Sequence, residues 1–411
     1  VKKTILIIGS GFAGLRSAKT LSRRLKRFGF SDRYRILLVD KHAYHTYTPT
    51  LYEAATTSEE IADNMGLKDI VTFPVIESLK GSGVEFFRER IEKIDLKEKQ
   101  VYTDAKMIIH YDFLVLALGA EVNYYDIAGL RENSLSLKEF SDALRIRYEI
   151  ISAITDEKIH DYKIVIGGAG PTGIELALEM KLWLSNLPCL RRSGCAVTVT
   201  LIQSSERVLP GFSKRVGKRV LKIIQKKNIH LLTSHAITSV DKEKVYLDDG
   251  ESVDYDVLIW TGGVKPNSLM SNLPEVNSYM QIYDNTAYGV GDGIRFLDES
   301  KKPAPKMARA AIEQGMVAAL NIFEAIKVNE GYSLKEKFKA YKPWRYPYII
   351  PVGGKRAYAV FGPIMISGVF GWLVKGLVEL EYIISILPVY KAIRVWLKGF
   401  WIFMRNNKIK V

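Results

Sequence analysis

The stretch KTILIIGSGFAG at residues 3–14 decides how this chain is read, and YKIVIGGAGPTG at residues 162–173 repeats it. Each is a short apolar run of the kind a buried strand uses, followed at once by Gly-x-Gly-x-x-Gly and a helix-like sequence. Glycine is needed at three places for three reasons. The first, Gly9 or Gly168, permits a tight strand-to-helix turn. The second, Gly11 or Gly170, lets backbone approach a pyrophosphate, and the third, Gly14 or Gly173, lets helix and strand pack closely. The helix start, Phe12-Ala13 or Pro171-Thr172, then turns free N–H groups toward phosphate. One such match is weak; two with the same flanks imply two nucleotide carriers on one protein and electron transfer between them.

The chain has 411 residues, 47% of them hydrophobic, enough for two or three domains with sizeable cores. No long low-complexity stretch argues for disorder. Only Cys189 and Cys195 are present, which speaks against a secreted disulfide scaffold and for a reducing compartment. With KKTILIIG running straight into the fingerprint, no leader is expected ahead of the first strand. The net charge of +14 favours anionic partners such as nucleotides or acidic lipid, without choosing among them.

After the first fingerprint comes a basic helix near residues 15–28, then the strand-like Arg35–Asp40. Asp40, followed by Lys41, stands where a dinucleotide site wants a carboxylate for a ribose. The run Tyr111–Gly119, with Ala117 and Gly119 at its small-residue end, recurs as Tyr255–Gly263, ending in Gly262-Gly263. Fingerprint and later strand thus repeat in the same order, an internal duplication. The first domain resumes near Tyr283–Asp292, where Gly291-Asp292 can reach a cofactor hydroxyl, and a helix is expected over residues 308–325. The expected fold is α/β with two Rossmann-like dinucleotide-binding domains and a C-terminal membrane-associating helical segment. Its boundaries are 1–155 with 266–330 for the first site, 156–265 for the second, and 331–411 for the tail.

These residues resemble the two-dinucleotide-binding-domain flavoproteins, and more closely the type II NADH:quinone oxidoreductases. Besides the motifs above, the resemblance rests on Tyr44–Ala55, Gly173-Ile174-Glu175, Trp260–Val264 and a hydrophobic, basic tail. It implies FAD at the first site and NADH at the second. Thr48-Pro49 would lie against the flavin ring, and Glu175 near nicotinamide and flavin, aiding positioning or proton transfer. Two departures stand out. The family often ends the second strand of its NADH unit with glutamate; here Gln203 stands there, and a neutral amide would not repel a 2′-phosphate, so NADPH should be tolerated. The family's Ala-Gln-x-Ala-x-Gln-x-Gly at the quinone pocket is Ala308–Gly315 here. Arg309 and Glu313 replace the glutamines at i, i+4 spacing and could pair, ahead of Gln314 and Gly315.

Disulfide reductases of related architecture need a cysteine pair after the first ribose-binding acid, and residues 41–60 hold no cysteine, so a dithiol relay is excluded. His42 and His45 lack a third ligand nearby, and no metal is expected. The run 357–374 is uncharged but broken by Gly362, Pro363, Gly368 and Gly371. It reads as a turn, two short strands and a helix from about residue 369 rather than a span. A last helix, 388–404, carries Lys391, Arg394 and Lys398, with Arg405 directly after it, beside Val389, Ile393, Trp396, Leu397, Phe400, Trp401 and Phe403. Six basic residues and no acid follow Glu381, Lys408 and Lys410 being the last. That is the composition of an interfacial helix on an anionic lipid surface; a packed helix or a homodimer contact is the competing use. The expectation is a non-pumping NADH:quinone oxidoreductase at the cytoplasmic face of the cell membrane. The alternatives are a quinone reductase with another donor such as sulfide, or a signalling flavoprotein using its basic surface. No nucleic-acid partner is expected.

Overall fold

A computed structural model describes residues 2–57, 66–155, 161–187 and 196–406. Cys189, Cys195, Lys408 and Lys410 lie outside the described residues, as does the side chain of Arg405. The chain forms two compact units: Val1–His45, Phe73–Glu121 and Val264–Tyr346, and then Thr46–Thr72, Val122–Gly263 and Pro347–Val411.

The first unit is built on a five-stranded sheet. Its order is Ala287–Gly289, Phe113–Leu116, Lys3–Ile8, Tyr34–Asp40, Val84–Arg88, and every neighbouring pair is parallel. Lys3–Ile8 is buried after its first residue, as a strand covered on both faces must be. The chain leaves it toward Tyr34–Asp40 and later returns on its other side as Phe113–Leu116. Strand order therefore reverses at the first fingerprint, where such sheets bind ligands. The helix Phe12–Phe28 follows and stops at Gly29, whose left-handed backbone (φ 72°) caps it. It packs on the helix Ala308–Asn329, four residues longer than expected.

The second unit repeats the plan. Its sheet runs Leu135–Ser136, Val257–Trp260, Asp161–Gly167, Ala196–Gln203, His230–Thr233, again all parallel. Each unit also carries an antiparallel three-stranded meander just before its late parallel strand, Ile91–His110 in one and Ile237–Asp254 in the other. The duplication seen in sequence is thus a duplication of topology, and the fold is α/β with two Rossmann-like sheets.

The tail follows the expected pattern. Tyr348–Pro351, Ala357–Phe361 and Ile364–Gly368 form an antiparallel sheet, then come helices Val369–Ile386 and Val389–Asn406. Among the described residues no helix is long and apolar enough to cross a membrane.

Candidate functional site

At the first fingerprint the three glycines separate by role. Gly9 has φ +101°, and a Cβ there would run into the Ala117 carbonyl; one at Gly14 would run into the Gly9 carbonyl. Gly11 differs: a Cβ would meet no protein atom within 4 Å. This open ground before the N-terminus of Phe12–Phe28 fits a pyrophosphate. Asp40 accepts from the Ser10 N–H at 2.6 Å, the Ser10 hydroxyl at 2.9 Å and the His42 N–H at 2.8 Å. The expected ribose carboxylate therefore also clamps the fingerprint loop. His45 supports that loop from within, its Nδ1 3.1 Å from the Ser10 carbonyl and its ring edge-on to Phe12. Burial pushes its imidazole down to about 4, so it is neutral. Lys41 is exposed beside this loop, and Gly119 leaves open space where the late strand ends. Gly291 faces Ala13, its N–H donating 2.8 Å to Gln314 Oε1.

The second site reproduces the first within its own unit. Gly168 has φ +102°, and its Cβ would sit 2.8 Å from Gly262 Cα. Gly173 abuts the Gly168 carbonyl and the Thr261 hydroxyl, while Gly170 again faces open space. Gln203 takes Asp40's place: its Oε1 accepts the Ala169 N–H at 2.6 Å, and its Nε2 donates to Ser205 Oγ at 2.8 Å. The clamp is kept and the charge is absent. Gly263 lies under Tyr125, which meets Trp260 edge-on.

Glu175 and Glu179 share one face of the helix Pro171–Leu184, one turn apart. Glu175 keeps partial exposure, yet burial first and Glu53 second push its carboxyl up to about 8, with Lys375 opposing. Glu179 accepts the Gly354 N–H at 2.7 Å. A buried ion group begins a few residues after Thr48-Pro49. Glu53, from the short helix Leu51–Ala55, holds Lys375 of Val369–Ile386 at 3.1 and 3.2 Å, both side chains under a tenth exposed, and Lys375 also bonds Glu379. Burial raises Glu53 to about 7, with Glu379 and Glu179 adding to the rise while Lys375 counters it. Tyr47 and Tyr382 stack beside the group, centroids 5.3 Å apart. Tyr47, Thr50, Glu53, Lys375, Glu379 and Trp396 help line a cavity of about 30 Å³, room for one or two waters.

Sequence reading missed this ion group, although a lysine and a glutamate at i, i+4, in a helix whose only other charge is the exposed Glu381, were its signal. The 309–315 segment, which resemblance sets at a quinone pocket, packs within the first unit. Arg309 and Glu313 do pair, at 3.9 Å. Glu313 further accepts from Trp344 Nε1 and the Tyr346 hydroxyl, Gln314 is buried on Gly291, and Gly315 packs on the Ala13 backbone. None of the four lines the cavity. In the last helix, Trp401 is exposed, but Trp396 turns inward to donate to the Gly376 carbonyl and Phe400 packs on Trp372. Lys398 pairs with Asp69. Thr48 and Pro49 form a single 3₁₀ turn entering Leu51–Ala55.

Comparison with known proteins bears on these sites. Residues 3–315 match the model of the pyridine nucleotide-disulphide oxidoreductase family. A type II NADH:quinone oxidoreductase of Staphylococcus aureus is 27% identical over 349 residues, 78% of this chain and 82% of that one. One from Staphylococcus saprophyticus is 24% identical over 343 residues, with the same shares of both chains. In fold, NDH2 from Plasmodium falciparum in complex with NADH superposes at a TM-score of 0.82, with 17% identity and 99% of both chains covered. The sulfide:quinone oxidoreductase of Aquifex aeolicus superposes at 0.73, with 19% identity, covering 98% of this chain and 92% of that one. The two open cradles, the clamped fingerprint loops and the matched span together make this chain an oxidoreductase of the pyridine nucleotide-disulphide oxidoreductase family, with FAD and NADH as its nucleotides.

Proposed function

We propose that the protein is a membrane-surface enzyme that passes electrons from NADH through FAD to a quinone, without pumping protons. The observation that carries this is the twofold cradle, one clamped by a carboxylate and one by an amide, on a chain similar to type II NADH:quinone oxidoreductases. In this reading residues 1–155 with 266–330 hold FAD, through Gly9–Gly14, Asp40, Lys41, Ala117, Gly119, Gly291 and Asp292. Residues 156–265 hold NADH, through Gly168, Gly170–Gly173, Gln203, Gly262 and Gly263. Flavin, when bound, would supply two-electron chemistry between a hydride donor and an acceptor. The protein's own part is to position and to manage protons. Forming a quinol takes two electrons and two protons; a hydride equivalent brings one proton, so the protein must bring the other. Glu175 and Glu53, both pushed toward the protonated form near neutral pH, are able to give it up, with Lys375 steadying the carboxylate left on Glu53. Thr48 and Pro49 are assigned to the flavin ring by resemblance. Arg309, Glu313, Gln314 and Gly315, which resemblance sets at the quinone pocket, also brace the first unit.

The fold is shared with a sulfide:quinone oxidoreductase, so the donor needs a direct test. The absence of cysteine from 41–60, with only two in the chain, leaves sulfide little chemistry to use. Quinone reduction should run with NADH and not with sulfide; the reverse would overturn the donor assignment. NADPH should also serve. Gln203→Glu adds a negative charge where a 2′-phosphate would lie, and is expected to raise KM for NADPH on the order of tenfold while leaving NADH little changed. An unaltered ratio of the two would contradict this.

Attachment to anionic lipid rests on the tail, where Phe370, Leu377, Tyr390, Leu397 and Trp401 are exposed. The face is the cytoplasmic one, where NADH and reduced thiols coexist. Leu397→Ser with Trp401→Ser spares the inward-facing Trp396 and should weaken vesicle binding at least tenfold, given about 1.5–3 kcal/mol per large apolar side chain buried. Binding equal to the parent protein would sink the anchor and favour a helix used for a homodimer, which sedimentation would then reveal.

A further inference from the structure

Beyond the helix Ala308–Asn329, residues 332–346 cross the first unit as an extended strap with no helix or strand of its own. Its backbone is pinned. Asn321, fully buried, donates to the Lys339 carbonyl at 2.9 Å and accepts the Lys339 N–H at 2.7 Å. The Tyr341 N–H donates to the Ser278 carbonyl at 2.7 Å, and the Tyr346 hydroxyl to Glu313 at 2.7 Å. An extended chain sends alternate side chains to opposite sides. Glu336, Phe338 and Ala340 accordingly turn half-inward, and Lys335, Lys337 and Lys339 are exposed, a series continued by Lys342 and Arg345. Glu336, the single acid of the stretch, accepts from Asn285, and none of the five cations has an ion-pair partner among the described residues. Between and beside them Leu334 is fully exposed and Trp344 half exposed.

The helix Lys214–Lys226 is the useful contrast. Lys218 and Lys222 are exposed there too, but Val216, Val220 and Ile224 are buried and Leu221 and Ile223 half-buried, so no fully exposed apolar side chain accompanies the charge. The strap presents charge together with an aliphatic tip and an indole, the combination that suits a bilayer interface.

We propose that the strap 332–346 is a second lipid-binding surface, docking on anionic headgroups through Lys335, Lys337, Lys339, Lys342 and Arg345 while Leu334 and Trp344 enter the interfacial layer. The choice of lipid over another polyanion rests on the membrane reading above and on Leu334, which a phosphate backbone would leave unused. Each cation near an anionic surface adds about fivefold to binding, and long lysine stems can lie along the apolar boundary with the charge in the headgroups.

The test is sedimentation of the full-length, flavin-loaded protein with phosphatidylcholine vesicles, with and without phosphatidylglycerol. Replacing Lys335, Lys337 and Lys339 together by Gln should weaken binding to the anionic vesicles on the order of 100-fold and leave neutral vesicles nearly unaffected. Lys218→Gln with Lys222→Gln should change neither. An unchanged flavin spectrum shows that each variant is folded, all these side chains being exposed. Anionic binding equal to the parent protein, or an equal loss in the Lys218/Lys222 control, overturns the strap. The Leu397/Trp401 variant reads the tail separately, so failure of either surface is distinguishable from failure of the other.

Discussion

Gly170→Val is expected to give a yellow, fully folded protein that NADH no longer reduces at a useful rate, at least 100-fold slower than the parent. Gly170 has φ −73° and extended ψ, a conformation valine accepts, and a Cβ there meets no protein atom within 4 Å. Nothing in the chain itself therefore objects to the substitution. In the proposed site the objection comes from the ligand, because there the backbone would have to approach the pyrophosphate. A loss of 100-fold corresponds to about 3 kcal/mol, a modest demand on two displaced phosphate contacts. The twin position gives a built-in control. Gly11 is equally open, at φ −70°, so Gly11→Val should fold yet purify without flavin. Gly14 and Gly173 behave differently: a Cβ at either meets the carbonyl of the fingerprint's first glycine, so there valine should lower the melting temperature itself. If Gly170→Val bleaches with NADH at the parent rate, the second cradle does not hold the donor.

Lys375→Met should be the most destabilising single change in the tail, at about 3–5 kcal/mol by denaturant titration near pH 8. Removing the ammonium leaves Glu53 and Glu379 facing each other with no cation, in a site where Glu53 and Lys375 are each under a tenth exposed. At pH 6 the loss should shrink, because Glu53 can then take up a proton instead of staying charged. The parent protein has a related pH dependence. Glu53 ionises near 4.5 when unfolded and near 7 when folded, so between those values the unfolded chain binds fewer protons. Stability therefore falls as pH rises from about 4.5 to about 7, and Glu175, raised to about 8, extends the fall. Burial pulls the Lys375 ammonium down, but Glu379 and Glu53 outweigh it and hold it above the ordinary lysine range, so it stays charged throughout and adds no slope there. Glu175→Gln should flatten the decline on the alkaline side. Equal stability of Lys375→Met and the parent at pH 8 would contradict the buried ion group.

The parts of this fold that sequence reveals are those made by neighbours along the chain. Both fingerprints, the repeated Tyr-Asp strand and the broken tail are local patterns, and each became the expected element. The i, i+4 pair Arg309–Glu313 was legible for the same reason. What was hidden depends on long loops closing. Glu53 and Lys375 are 322 residues apart, and no periodicity connects them. Gln203 could be seen as a missing charge, but not as the acceptor for Ala169 N–H that keeps the loop clamp intact. The inward turn of Trp396 was illegible because the helix presents apolar residues on more than one side, and only packing on Gly376 chooses which is covered.

If electrons pass from NADH through flavin to quinone, anaerobic mixing of the flavin-loaded protein with NADH reveals that order. The flavin's visible absorbance should bleach rapidly, and adding a quinone should restore it. A flavin that stays oxidised with NADH, or that bleaches and is not reoxidised by quinone, would rule that order out.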